Sequence, residues 1–173
     1  MWSRRSSIIV LISGNGSNLQ AIINDIKRKE INAYISCVIS NNKEAFGIVR
    51  AQESNIPSYI ISHTDYKSRE DFDNALQKKI DEFSPDLIVL AGFMRILSQD
   101  FVKTYLGKLI NIHPSILPKY PGLNTHEKVI KDGSNEHGVT VHYVNEDLDG
   151  GPICAKSLLK VNTTSEAELK NQI

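Results

Sequence analysis

The sequence is short of several things, and each shortage removes a class of function. Only two cysteines occur in 173 residues, Cys37 and Cys154. They form no CxxC pair, and no His/Cys group has the spacing of a zinc site, so a reducing cytoplasmic setting and a metal-free site are expected. Neither sign of charge is in excess, with 20 Lys plus Arg against 20 Asp plus Glu. No basic field is available to neutralise phosphates along a nucleic acid, and no like-charge block suggests a membrane-binding or disordered tail. The expected partners are therefore small molecules, with no nucleic acid and no membrane. Long apolar runs are missing as well. The stretch Ile8-Ile9-Val10-Leu11-Ile12 after Arg4 and Arg5 imitates a secretory leader, but it is too short and ends in a glycine loop. Nothing approaches transmembrane length. There is no internal repeat, low-complexity tract or linker, and 40% hydrophobic content suits one sizeable core, so residues 1–173 are expected to form a single domain.

What the chain does contain is an alternation of short β-branched runs with amphipathic helical patterns. Strands are expected over Ser7 to Ser13, Ala33 to Ser40, Pro57 to Ile61, Leu87 to Ala91, the run through Asn111 and His113, Gly138 to Val144, and Ile153 to Val161. Helices are expected after Asn18, over Ala45 to Ser54, and from Ser68 to about Phe83, where Phe72, Ala75, Leu76, Ile80 and Phe83 make an apolar stripe. A short helix should end near Asp132-Gly133, and another begins near Thr164. The fold class is α/β: a Rossmann-like, mainly parallel twisted sheet with helices on both faces. Leu87-Ile88-Val89-Leu90-Ala91, apolar throughout, reads as a central strand buried on both sides. The apolar segment Gly92-Phe93-Met94-Arg95-Ile96-Leu97 then lies at a strand's carboxyl end, where open α/β sheets bind ligands, and is a candidate wall for a flat, partly apolar ligand. Burial under a neighbouring helix would explain it equally well.

The first strand runs into Gly14-Asn15-Gly16-Ser17-Asn18. Glycines there permit a tight turn and close backbone approach, and amides at a helix start favour an anion such as phosphate. An ordinary strand-to-helix turn with Ser17 or Asn18 as N-cap is compatible with that role. A dinucleotide site is disfavoured, because Leu19 stands at the third glycine position of GxGxxG and Ser40-Asn41-Asn42 carries no acidic ribose ligand. The P-loop is excluded by the lack of Gly-Lys-Ser/Thr.

The candidate centre of the chemistry is Leu109-Ile110-Asn111-Ile112-His113-Pro114-Ser115. In an extended chain, Asn111 and His113 project from one face, placing a carboxamide beside an imidazole at a strand's end. Both could instead be hydrogen-bonded structural groups. A second polar stretch, Asn145 to Pro152, puts Asp149 before Gly150-Gly151-Pro152, in a loop able to bring a carboxylate to a histidine. His63, His126, His137 and His142 read as surface or hydrogen-bonded residues. Ser115 lies in no Gly-x-Ser-x-Gly elbow, which disfavours a serine hydrolase.

Taken together, Ile12 to Gln20, Leu90 to Leu97, Asn111 to Ser115 with Leu117 to Gly122, and Asp147 to Pro152 resemble phosphoribosylglycinamide formyltransferases over essentially the whole chain. The resemblance implies transfer of a formyl group from 10-formyltetrahydrofolate, the co-substrate, to the amine of 5-phosphoribosylglycinamide in purine biosynthesis, without a metal, by a monomer or homodimer. Matched by motif, Gly16, Ser17 and Asn18 would hold the substrate phosphate. Arg69, Met94, Arg95, Ile96, Leu97 and Asn111 would bind folate, and Asn111, His113 and Asp149 would be catalytic. Alternatives are another formyl-folate enzyme, such as a sugar-nucleotide or methionyl-tRNA formyltransferase, or a folate- or nucleotide-binding module inactive through truncation. Two departures stand out. Asn124 occupies a position where the family commonly has histidine, and the C-terminal helix is shorter than in family members, which place amine-orienting groups there. Slow transfer with folate binding retained is expected from the second departure.

The chemistry gives each residue type a purpose. Attack of the substrate amine on the formyl carbon yields a tetrahedral species with a negative oxygen, which the Asn111 amide and a protonated His113 could stabilise as donors. A nearby Asp149 carboxylate would favour the charged imidazole and help move a proton from the attacking nitrogen to the folate nitrogen.

Overall fold

In a computed structural model, residues 4–173 are described, and the elements follow the expected alternation. The strands are β1 (Ser6–Ile12), β2 (Ala33–Ser40), β3 (Ser58–Ile60), β4 (Leu87–Leu90), β5 (Leu109–His113), β6 (Glu136–Tyr143) and β7 (Ile153–Lys160). The helices are α1 (Ser17–Lys27), α2 (Phe46–Glu53), α3 (Arg69–Asp81), α4 (Gln99–Thr104), α5 (Thr125–Lys131) and α6 (Glu166–Gln172). The sheet has seven strands in the order β3-β2-β1-β4-β5-β6-β7. The chain groups into two compact units, Met1–Leu109 and Ile110–Ile173.

In the first unit, β1 pairs in parallel with β2 and β4, and β2 in parallel with β3. Parallel pairing requires crossover connections, and the helical segments between strands supply them. From Ile8 to Ile12 every side chain of β1 is buried, as are Ile88, Val89 and Leu90 of β4. This is why these segments carry unbroken apolar runs rather than alternation. The three-residue β3 sits at the sheet's edge. α3 buries Phe72, Leu76 and Ile80 of the expected stripe, whereas Ala75 is half-buried and Phe83, also half-buried, lies past the helix end; the Ser68 hydroxyl caps the helix by accepting from the Asp71 amide. α4 was not foreseen. It spans six residues and is capped by Ser98, and it buries Phe101 and Val102.

In the second unit, β5, β6 and β7 form antiparallel pairs. Along β6 the side chains from Gly138 alternate between buried and half-exposed, and Thr140 and His142 both point inward. The outermost strand, β7, is exposed along nearly its whole length. The final helix, α6, starts at Ser165, whose hydroxyl accepts from the Glu168 amide, and it is anchored by the fully buried Leu169. That contact matters because an isolated helix of two turns is marginal in water.

Candidate active site

The two ends of β5 and β6 bring together the residues that the sequence placed at the centre. Antiparallel register sets Asn111 opposite His142 and His113 opposite Thr140. Residues opposite one another share a face, so the period-two spacing of Asn111 and His113 aligns with that of His142 and Thr140. Asp149 arrives from the loop between β6 and β7. Its φ of 52° is the left-handed conformation, which aspartate tolerates better than most residues. The loop closes onto β6 at Gly151, where a Cβ would lie 1.8 Å from the Tyr143 carbonyl oxygen. Only glycine fits there, and the return is secured by the Tyr143 amide donating to Pro152 O at 2.8 Å.

Asp149 thus faces two imidazoles. Its Oδ2 is 3.4 Å from His113 Nδ1, and its Oδ1 is 3.5 Å from His142 Nε2. The Gly122 amide donates to Oδ2 at 2.8 Å. Burial pushes the Asp149 carboxyl up, since the side chain is only 8% exposed. The hydrogen bond from His142, that from the Gly122 amide and the charges of both imidazoles more than offset this, and hold it below its ordinary value. The carboxylate is therefore ionised at neutral pH.

His113 Nε2 lies 2.9 Å from the Tyr120 carbonyl oxygen. A carbonyl only accepts, so Nε2 carries a hydrogen, and Nδ1 faces the Asp149 carboxylate. Asn111 Nδ2 lies 3.3 Å from His142 Nε2. His142 Nδ1 donates to Tyr143 O at 3.0 Å. His142, expected among surface or hydrogen-bonded residues, is hydrogen-bonded, but its place in this cluster was not foreseen. It is 2% exposed and bridges Asn111 and Asp149. The available signal was its place in the apolar-polar alternation of β6, on the inward side with Thr140.

Ser115 is structural: its hydroxyl donates to Lys119 O at 2.7 Å and Tyr120 O at 3.1 Å, and thereby holds the turn whose carbonyl meets His113. Asn124 stands at the start of α5 with a φ of 58° and makes no side-chain cap bond. His126 and His137 form a pair of their own, with Nδ1 and Nε2 3.0 Å apart. Burial lowers both, and takes His137 to about 4.

In the first unit, the loop after β1 adopts a conformation that corrects one expectation. The N-cap of α1 is neither Ser17 nor Asn18 but Gly16, in the left-handed region at φ 75° and without a side-chain cap bond. Glycine brings no side-chain acceptor, so no cap side chain meets the first-turn amides. A Cβ on Gly16 would come within 2.6 Å of Gly47 Cα, so this position is constrained by space as well as by φ.

The segment after β4 starts with Gly92 at φ 74° and is tied to β1: Ser13 N donates to Gly92 O at 3.1 Å, and Met94 N donates to the Ser13 hydroxyl at 2.7 Å. Met94 and Ile96 are exposed, at 65% and 62%, while Phe93 is buried. Of the two explanations offered for this apolar segment, burial holds for Phe93 but not for Met94 and Ile96. The Arg95 guanidinium stacks over Phe72, 5.8 Å from the ring centroid, and its buried Nε has no hydrogen-bond partner. Arg69 opens α3 in an exposed position. One turn later, Asp73 Oδ2 accepts from Ser98 N at 2.6 Å and fixes the far end of the segment. Among the described residues, no group of His, Cys, Asp and Glu is arranged to hold a metal ion, and no helix is long and apolar enough to cross a membrane.

An open α/β sheet with a carboxamide, an imidazole and a buried carboxylate at the end of one strand is an arrangement suited to acyl transfer. The formyl transferase family matches residues 6–173, and the chain belongs to that family. Several known proteins are similar to the chain. It is 50% identical over 155 residues to the phosphoribosylglycinamide formyltransferase of Escherichia coli (strain K12), covering 90% of this chain and 73% of that protein. It is 44% identical over 158 residues to the trifunctional purine biosynthetic protein adenosine-3 of Homo sapiens, covering 91% of this chain and 16% of that protein. Among solved structures, the phosphoribosylglycinamide formyltransferase of Coxiella burnetii matches with a TM-score of 0.89 and 52% identity, over 96% of this chain and 79% of that one. Glycinamide ribonucleotide transformylase 1 of Symbiobacterium toebii matches with a TM-score of 0.95 and 33% identity, over 99% and 81%.

Proposed function

We propose that the chain is a phosphoribosylglycinamide formyltransferase, which moves the formyl group of 10-formyltetrahydrofolate to the amine of 5-phosphoribosylglycinamide. The observation that carries this reading is the 50% identity to the Escherichia coli enzyme over 90% of the chain. The grouping of Asn111, His113 and Asp149 supports it, as side chains of the three types that the reaction needs.

In this reading the substrate amine attacks the formyl carbon, forming a carbon–nitrogen bond while the carbonyl π electrons move to oxygen. The Asn111 amide and the His113 imidazole donate to that oxygen, where charge develops. For His113 Nε2–H, donation exchanges the Tyr120 carbonyl for the oxyanion. Asp149, ionised and held against His113, stabilises the imidazolium and relays a proton from the attacking nitrogen to the folate nitrogen as the old carbon–nitrogen bond breaks. No covalent enzyme intermediate is needed. Gly16, Ser17 and Asn18 hold the substrate phosphate through the uncapped start of α1. Arg69, Met94, Arg95, Ile96, Leu97 and Asn111 bind the folate.

The test is a transfer assay with both substrates, following formation of the formylated ribonucleotide and the deformylated folate in equal amounts. Folate loss without ribonucleotide formylation would refute the assignment in favour of a hydrolase.

A further inference from the structure

Arg50 was not singled out by any motif, yet its guanidinium is built into the loop at the start of α1. Nε donates to the Asn15 carbonyl oxygen at 2.9 Å, Nη2 to Asn15 Oδ1 at 3.0 Å, and Nη1 to Gln20 Oε1 at 3.3 Å. The Phe46 ring stacks against the same group, 5.0 Å from Cζ. One turn before Arg50 on α2, the Gly47 amide donates to Gly14 O at 3.0 Å. Consecutive carbonyls of the loop, those of Gly14 and Asn15, are thus held by one helix.

We propose that Arg50 is a positioning residue for phosphate recognition: by clasping Asn15 at both its carbonyl and its side chain, it fixes the plane of the Asn15–Gly16 peptide and aims the Gly16 amide at the ribonucleotide phosphate. In a trans peptide the C=O and the following N–H point in opposite directions. Pinning the Asn15 oxygen on Arg50 therefore turns the Gly16 N–H away from α2. Gly16 has no side chain to hinder rotation of that plane, so the loop requires an external clamp. A guanidinium serves because its planar fork donates in several fixed directions at once, which the single ammonium of lysine does not. The inference rests on assignment of Gly16, Ser17 and Asn18 to the phosphate.

Arg50→Lys separates geometry from charge. The KM for 5-phosphoribosylglycinamide is expected to rise about tenfold, as when a hydrogen-bonding group is misdirected rather than deleted. kcat and the KM for 10-formyltetrahydrofolate should stay within about twofold. A lysine variant with unchanged ribonucleotide KM would overturn the proposal, as would an equal loss for both substrates. Asn15→Ala removes one of the clasped atoms while leaving Arg50 in place, and should raise the same KM by a smaller factor; no rise would also overturn it. Calorimetry with ribose 5-phosphate gives a readout without turnover. Binding that is present in the parent chain and weakened in Arg50→Lys, even if no formyl transfer is seen, would sustain this inference while refuting the enzymatic assignment. No ribose 5-phosphate binding by the parent chain would overturn the inference itself. Thermal melts of all three proteins identify any variant that fails to fold, and Asn15→Ala then decides.

Discussion

In the proposed function, the loop at the start of α1 and the cluster at the end of β5 perform different tasks with different parts of the polypeptide. The loop presents main-chain amides, and its side chains and glycines serve to shape that main chain. Gly16 supplies the left-handed turn and the space beside Gly47, and Arg50 grips Asn15 from outside. In the cluster the backbone sets the register and it is side chains that meet, with Asp149 set between His113 and His142. An anion that is only to be held needs fixed dipoles, and a helix start provides them. A reaction in which charge appears and protons move needs groups that titrate or donate on demand, and only side chains offer these. The comparison can be broken by mutations that should act on one task and spare the other.

The largest effect is expected in the cluster. His113→Ala or Asp149→Asn should lower kcat by ~10²–10⁴, the usual contribution of acid–base groups, with folate affinity largely retained in calorimetry. Loss of cooperative thermal unfolding in both variants would instead mean that the residues only hold the fold together. The loop responds differently. Gly16→Val should weaken ribonucleotide binding strongly while folate binding changes little, because the new side chain collides with Gly47 and is strained at φ 75°. Equal weakening of both ligands would erase the division of labour.

A smaller effect sharpens the picture of the cluster. His142→Ala should lower kcat by about tenfold, ~1.4 kcal/mol in barrier, because Asn111 and Asp149 lose a shared neighbour. His142→Gln, which keeps a donor near Asp149, should recover part of that loss. If alanine and glutamine behave alike in steady-state kinetics, the bridging role is wrong. The smallest effect concerns acid stability. Asp149 is held below its ordinary value, so its ionised form stabilises the folded protein. That stabilisation is fully present above the unfolded carboxyl value, near ~3.9, and is lost as pH falls below it through the lower folded value. Urea unfolding from pH 7 to pH 3 should therefore show a steeper acid loss in the parent chain than in Asp149→Asn. Parallel curves would indicate that the carboxylate gains nothing from its neighbours.

The sequence by itself determined the alternation of elements, the buried runs of β1 and β4, the glycine turn that leads from β1 into α1 and the shared face of Asn111 and His113. Each of these follows from local periodicity or from the conformational needs of a few adjacent residues. The Asp149 loop was legible for the same reason, through the turn residues that follow it. Tertiary structure decided the rest. His142 entered the cluster because strand register set it opposite Asn111, and register is a pairing between segments 31 residues apart. Arg50 reached Asn15 across 35 residues, by way of a helix whose own pattern reported only which face it buries. The cap of α1 falls on Gly16 rather than on Ser17 or Asn18, and Gly47 leaves no room for a Cβ there, a steric constraint imposed by α2 rather than by the loop's own residues. Local patterns state what a segment can become; which side chains then meet depends on long-range packing that no short window of sequence contains.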